Sequence, residues 1–312
     1  MNAKTAGYIL KRIALAALTV WVVITVTFFV MRAVPGGPFL GEKALSAEAM
    51  EALNAKYGMD KPLFEQYVTY LKDIVTRLDF GPSLKQRGRT VAEVILDGFR
   101  ISAKLGLTAA AIAALAGTVL GAFAAIRRNQ TADKIIMVLT TAFVSMPSFI
   151  MGTFLLLIFA VKLMVVPANG AVAGGLILPV ITLALYPTAY ITRLTRSSML
   201  DVLGQDYIRT AKAKGCGTSR ITWTHALKNA ILPVITVMGL NAGSLLGGAV
   251  VCESVFSLPG MGTYILQAIR AKDIPVVMSS TVVLSIMFCV IMIFVDVLYA
   301  AVDPRIRERV TR

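Results

Sequence analysis

Tyr207-Ile208-Arg209-Thr210-Ala211-Lys212-Ala213-Lys214-Gly215-Cys216-Gly217 is a polar stretch set between two long apolar runs. Alanine, lysine and arginine are good helix formers, so the spacing predicts a helix from about Gln205 to Lys214. Gly215 and Gly217 stop that helix, and a second one begins near Ser219 and feeds into the next apolar run. The product is a helix–turn–helix with small residues at its tip and basic residues around it. Alanines allow close backbone approach and glycines allow the turn, which suits insertion into a groove on a soluble partner. A basic loop held on anionic lipid headgroups fits the same chemistry.

Outward from this stretch, the composition calls for lipid as solvent. Of 312 residues, 57% are hydrophobic and 15% charged, more apolar surface than one soluble core can hide. The apolar residues gather into runs of about 20 or more, the length a helix needs to cross a bilayer. Six runs stand out: Ile13 to Val34, Ile101 to Ile126, Ile135 to Val161, Gly175 to Ile191, Ile231 to Val251 and Val276 to Ala301. Alternating barrel-strand patterns are absent, so the expected fold is an all-α membrane protein with six transmembrane helices. Lys4, Lys11 and Arg12 precede the first run as in a signal peptide, but the run is too long and lacks an A-x-A site, so an uncleaved anchor is expected.

Basic residues set the orientation. Segments 1–12, 127–134, 193–230 and 302–312 carry net +12, whereas 32–100, 162–174 and 252–276 carry net +2. The positive-inside rule places the first group, with both termini, in the cytoplasm. Topology and anionic lipid therefore account for the net charge of +14 without nucleic acid. The expected organisation is a cytoplasmic N-terminus and first span (1–34), an extracytoplasmic helical segment (35–100), a five-helix core (101–301) that includes the loop 193–230, and a cytoplasmic tail (302–312).

Within the external segment, Ser46 is expected to cap a helix ending near Gly58. Asp60-Lys61-Pro62 opens another that runs to about Arg77, and Thr90-Val91-Ala92-Glu93 is a capping box. Too poor in apolar residues to stand alone, this segment should pack on the membrane bundle or on a partner. Ala109, Ala113, Gly117, Gly121 and Ala125 form a small-residue stripe in the second span, and Gly239, Gly243 and Gly247 another in the fifth; close helix packing is the expected use. Prolines at 147, 179, 187 and 233 lie inside or at the ends of spans, where each removes a backbone hydrogen bond. Asp296 is the clearest intramembrane carboxylate and is near enough to Asp303-Pro304 to act as an anchor. Cys216, Cys252 and Cys289 are odd in number and scattered, which indicates neither a disulfide frame nor a metal site.

The pattern R-T-A-x-A-K-G-x(9)-H-A-L-x-N-A-x-L-P, spelled by Arg209, Thr210, Ala211, Lys212, Ala213, Lys214, Gly215, His225 to Ala230 and Leu232-Pro233, resembles the EAA loop of ATP-binding-cassette importer permeases. Arg209 stands where many members have Glu, as in the peptide branch of that family. Four further pieces are similar to the B-type permease subunit of oligopeptide and dipeptide importers: Met31-Arg32-x-x-Pro35-Gly36, Leu78-Asp79-Phe80-Gly81-Pro82-Ser83, Arg193-x-x-Arg196-x-x-Met199 and Glu253-x-x-Phe256-x-x-Pro259-Gly260-Met261-Gly262. Residues 295–305, Val295-Asp296-Val297-Leu298-Tyr299-x-x-Val302-Asp303-Pro304-Arg305, are a fifth.

This resemblance implies the type I permease fold in a bacterial inner membrane. It implies half of a path for oligopeptides, or for dipeptides, glutathione or nickel chelates. It implies as partners a homologous second permease, two ATPase subunits that bind ATP and Mg, and an extracytoplasmic binding protein, with no cofactor in this chain. Residues 209–215 and His225 would form the ATPase-coupling loop, and Phe256, Pro259, Gly260, Met261 and Gly262 an external loop meeting the binding protein. The residues themselves exclude other classes. No G-x-x-x-x-G-K-[S/T] cradles phosphates, no G-x-S-x-G or paired histidines mark a hydrolase, and no intramembrane charge relay marks a stand-alone transporter. His225, the sole histidine, has no second ligand for a metal and is expected to pack in the loop's second helix.

Overall fold

The computed structural model describes residues 3–33, 58–85, 88–235, 237–239 and 249–302, with single positions 51, 55 and 245. Ser46, Pro35-Gly36, Gly243, Gly247, the side chain of Asp296 and residues 303–312 lie outside this description, as does much of the predicted fifth span. In chain order the helices are α1 (Ala3–Ala33), α2 (Leu63–Arg77), α3 (Val91–Ile126), α4 (Thr131–Ser145) and α5 (Ser148–Leu155), which a π-helical turn, Leu156–Lys162, continues. Next come α6 (Ile177–Leu203), α7 (Asp206–Ala213) and α8, residues 218–230, whose middle, Ile221–Ala226, is π-helical. The chain ends with α9 (Val250–Val255), α10 (Met261–Ala271) and α11 (Ile274–Val302).

Among the described residues, four helices are long and apolar enough to cross a membrane: Leu10–Ala33 of α1, α3, α6 and Ile274–Val295 of α11. The third predicted run, Ile135 to Val161, is not one straight helix. It is the pair α4 and α5, bent by 107°. Pro147 causes the break, because it supplies no N–H and forces the residue before it out of helical geometry. Met146 accordingly sits at φ −92°, ψ 128°.

The fourth run also differs from expectation. Gly175 lies before the helix, and α6 continues twelve residues past Ile191 to Leu203. Arg193, Arg196 and Asp201 end the apolar run, but nothing in them ends a helix. Pro179 falls in the first turn, where its missing N–H costs nothing, whereas Pro187 is interior.

The described residues fall into two compact units, one drawn from 1–9, 102–258 and 290–312 and the other from 10–101 and 259–289. In the first, the small-residue stripe packs α3 on α6. A Cβ built on Gly117 would stand 2.7 Å from Ile191 Cγ2, and one on Gly121 would stand 2.5 Å from the Thr192 carbonyl oxygen. A Cβ on Gly239 would likewise run into Val295 of α11. Helix backbones thus approach as small-xxx-small packing allows.

The second unit begins α3 with the predicted capping box. The Thr90 N–H donates to Glu93 Oε2 at 3.0 Å and the Glu93 N–H to Thr90 Oγ1 at 3.3 Å. Val91, Val94 and Ile95 then bury against Met261, Ala268, Val276 and Val277. α2 sets Tyr67 against Phe28, Ile274 and Met278, and the Tyr67 hydroxyl lies 2.8 Å from Thr25 Oγ1. Asp273, buried just before α11, takes the Ser83 hydroxyl and the N–H groups of Leu84 and Lys85, which fixes the Gly81-Pro82-Ser83 turn.

Candidate functional site

The helix–turn–helix takes the form expected of its sequence. α7 runs from Asp206 to Ala213, and Gly215 occupies the left-handed position at φ +79°. The Cys216 N–H closes on the Ala211 carbonyl at 3.1 Å, the wide bond that ends a helix when the residue before it is left-handed. A side chain at 215 would have room but the wrong backbone, since no atom lies within 4 Å of its Cβ position. Gly217 then serves as N-cap for α8.

Ile208 holds this element in place. It is 0% exposed and packs among Ala122, Ala125, Met199, Ile221, Ala226 and Ala230, so the ends of α3 and α6 and one side of α8 share one core. Ala211 and Cys216 lean on the same cluster. Burying a whole isoleucine side chain is worth about 1.5–3 kcal/mol, enough to hold so short a helix in one orientation. Tyr207 adds a polar tie, its hydroxyl accepting from Asn229 Nδ2 at 2.8 Å.

With Ile208 inward, the opposite face looks out. Arg209, Thr210, Lys212, Ala213, Lys214 and Gly215 are all exposed, and Arg209 makes only a loose contact with Asp206, 3.4 Å away on a carboxylate that is 95% exposed. Ala211 belongs to the inward side. His225 is half-buried within the π-helical part of α8, and its carbonyl accepts from Asn229. The structure therefore gathers the seven predicted loop residues on one short element and sets His225 on the neighbouring helix.

Sequence reasoning missed the strongest polar contact behind the loop. Arg196, on α6, grips Asp133, on α4, through two parallel bonds: Nε to Oδ1 at 2.6 Å and Nη2 to Oδ2 at 2.7 Å. Asp133 is 2% exposed, and its Oδ2 also accepts the Asn129 N–H at 2.8 Å. Only Gly204 and Gln205 separate α6 from α7, so this bridge fixes the rod that carries the loop. Arg196 stood out in the sequence as part of Arg193-x-x-Arg196-x-x-Met199. Its partner, 63 residues earlier, gave no sign there.

The other predicted site, residues 256–262, is more enclosed than an external loop implies. Phe256 is 0% exposed and Met261 2%, while Gly260 and Gly262 are also buried. Pro259 is half-exposed, and Ser257, left-handed at φ +53°, is exposed. Phe256 and Leu258 pack around Gly170, whose N–H donates to the Phe256 carbonyl at 2.8 Å. Among the described residues no group of three or more His, Cys, Asp or Glu is clustered as metal ligands are.

Comparison with known proteins identifies the family. The model of the binding-protein-dependent transport system inner membrane component family matches residues 117–308, and that of its N-terminal region matches residues 6–100. The dipeptide transport system permease protein DppB of Bacillus subtilis is 44% identical over 97% of this chain and 98% of its own length. The oligopeptide transport system permease protein OppB of Haemophilus influenzae is 42% identical over 96% and 99%. A chain of the inward-facing MetNI methionine ABC transporter is similar in fold, with a TM-score of 0.57 at 15% identity, over 68% of this chain and 97% of that one. It has the type I importer permease fold. The chain is thus a multi-pass membrane protein that belongs to the binding-protein-dependent transport system inner membrane component family.

Proposed function

We propose that this chain is the permease subunit of a peptide importer, and that residues 209–215, with His225 behind them, couple it to ATPase subunits. The observation that carries the proposal is α7 itself, anchored inward by Ile208 and presenting small and basic residues outward. Full-length relatives named for dipeptide and oligopeptide transport support the substrate class. In this reading a homologous second permease completes the path, and two ATPase subunits bind ATP and Mg. Both termini lie in the cytoplasm, where the basic segments cluster.

The mechanism is alternating access. Closure of the ATPase pair moves α7, and α6 and α3 move with it because they share the Ile208 core. The two spans then swing together, opening the path first outward and then inward. Peptides of varied side chain suit a lining of small and apolar residues with polar groups aimed at the backbone.

Ala213→Trp tests the coupling role, because Ala213 is exposed and the bulk falls on the docking face without entering the core. In proteoliposomes holding the complex, peptide-loaded binding protein should stimulate ATP hydrolysis in the wild type, and the variant should lose about tenfold or more of that stimulation. Full stimulation in a folded Ala213→Trp complex would refute the role. Uptake of labelled peptides of two to eight residues in the same vesicles gives the length preference.

We further propose that the segment holding Phe256, Pro259, Gly260, Met261 and Gly262 meets the binding protein. In the conformation described, Ser257 and Pro259 are what a partner reaches; Phe256 and Met261 become available only if the segment leaves its packing. Deleting 257–260 should abolish stimulation by loaded binding protein while basal hydrolysis persists. Unchanged stimulation would remove this segment from the interface.

A further inference from the structure

The exposed face around α7 is charged in one sense. Arg209, Lys212 and Lys214 lie on or beside the helix, and Arg220 follows at the start of α8. The last turn of α3 shares the Ile208 core through Ala122 and Ala125, and the exposed Arg127 and Arg128 come directly after it. Six cations thus lie on α7 or next to residues that share its Ile208 core. Among nearby carboxylates Asp133 is buried on Arg196, which leaves Asp201 and Asp206 on the exposed side.

Two kinds of negative surface could face such an element: lipid headgroups or acidic side chains of a protein. A segment that lies on lipid mixes its cations with large apolar side chains directed into the interface. Here the large apolar residue of α7, Ile208, points into the protein core, and Tyr207 is tied to Asn229. Between the cations lie Thr210, Ala213, Gly215 and Gly217, all exposed and small or polar. Tyr207 and, on α8, Trp223 are exposed, but α7 presents no large aliphatic side chain outward, and a slim element edged by positive charge fits a groove with an acidic rim.

We propose that the groove receiving α7 on the partner ATPase carries carboxylates along its rim, facing Arg209, Lys212 and Lys214, and that Arg127 and Arg128 extend the same field. This rests on the coupling role proposed above and names the chemistry of the partner surface. Attraction of this kind steers docking and weakens as salt screens it, with a screening length of about 10 Å at 0.1 M and about 3 Å at 1 M.

The test is retention of ATPase subunits on membranes carrying the assembled complex, washed at rising sodium chloride. Wild-type membranes should release the ATPase as salt rises from about 50 to 500 mM. Arg209→Glu with Lys212→Glu should retain about tenfold less at intermediate salt, and Arg209→Gln with Lys212→Gln should fall between. All four substitutions are at exposed positions, and the wild-type titration requires no variant at all. Salt-independent wild-type retention overturns the acidic groove, and so does equal retention by the Glu and Gln pairs. If the charge variants are silent while Ala213→Trp uncouples, the coupling role stands and the acidic groove falls; if Ala213→Trp is silent as well, the coupling role itself falls. Loss of binding to phosphatidylglycerol nanodiscs with ATPase retention unchanged would assign the face to lipid and overturn the proposal.

Discussion

Arg196→Met is expected to destabilise the folded chain by about 3–5 kcal/mol, the cost of leaving a buried carboxylate without its counter-ion. Asp133 is 2% exposed and keeps one hydrogen bond, from the Asn129 N–H, with the charge of Arg128 nearby, once both guanidinium bonds are gone. Methionine fills much of the arginine's volume, so loss of packing is a minor part of the change. Unfolding in mixed micelles with rising SDS measures the loss. Adding Asp133→Leu should then restore most of it, since an apolar pair is often as stable as a buried ion pair. A single variant within about 1 kcal/mol of wild type would show that water reaches Asp133 and that the bridge is dispensable.

Gly121→Leu is also expected to destabilise the chain, for a steric reason. Even the first added carbon would stand 2.5 Å from the Thr192 carbonyl oxygen, 2.6 Å from Thr195 Cβ and 3.1 Å from the Arg196 N–H nitrogen. Most of these atoms belong to the α6 backbone and cannot rotate away, so α3 and α6 must separate. Replacing glycine in a helix gains up to about 1 kcal/mol in propensity, while forced overpacking costs about 1–3 kcal/mol or more. The sum should be a net loss, read in the same SDS titration and as reduced yield of complex. Because Gly121 touches the turn of α6 that bears Arg196, the two variants should combine non-additively. Strict additivity would mean that the α3 contact does not help to place Arg196.

Features with local causes were legible in the sequence. The capping box at Thr90, the start of α2 after Pro62, the glycine stop at 215 and the restart before Ser219 each depend on neighbours a few residues away, and each is found where the pattern puts it. What escaped depends on contacts distant in sequence. Hydropathy ended the fourth span at Ile191 because arginines begin there, yet Arg196 is neutralised by a carboxylate 63 residues earlier and the helix runs on. Pro147 was visible, but no local rule says whether a proline only bends an apolar run or turns it through 107°. Residues 259–262 were expected, from the resemblance, to form an external loop open to a partner. Their burial follows from close packing with residues remote in sequence, such as Gly98, whose Cβ position lies 2.9 Å from the Met261 backbone. In residues 207–217 the outward residues were legible as a group, but Ile208 as their anchor was not.

The length of α6 has a mechanical consequence. From Pro187 to Leu203 the helix covers sixteen steps, about 24 Å at 1.5 Å per residue, without another proline or glycine. It is therefore a lever arm with a soft pivot, since Pro187 cannot donate the hydrogen bond that would stiffen the turn behind it. A tilt of about 10° at that pivot carries the Leu203 end through roughly 4 Å, on the scale of one helical turn. Small rotations within the span and larger strokes at its Leu203 end are thus one motion seen at two radii.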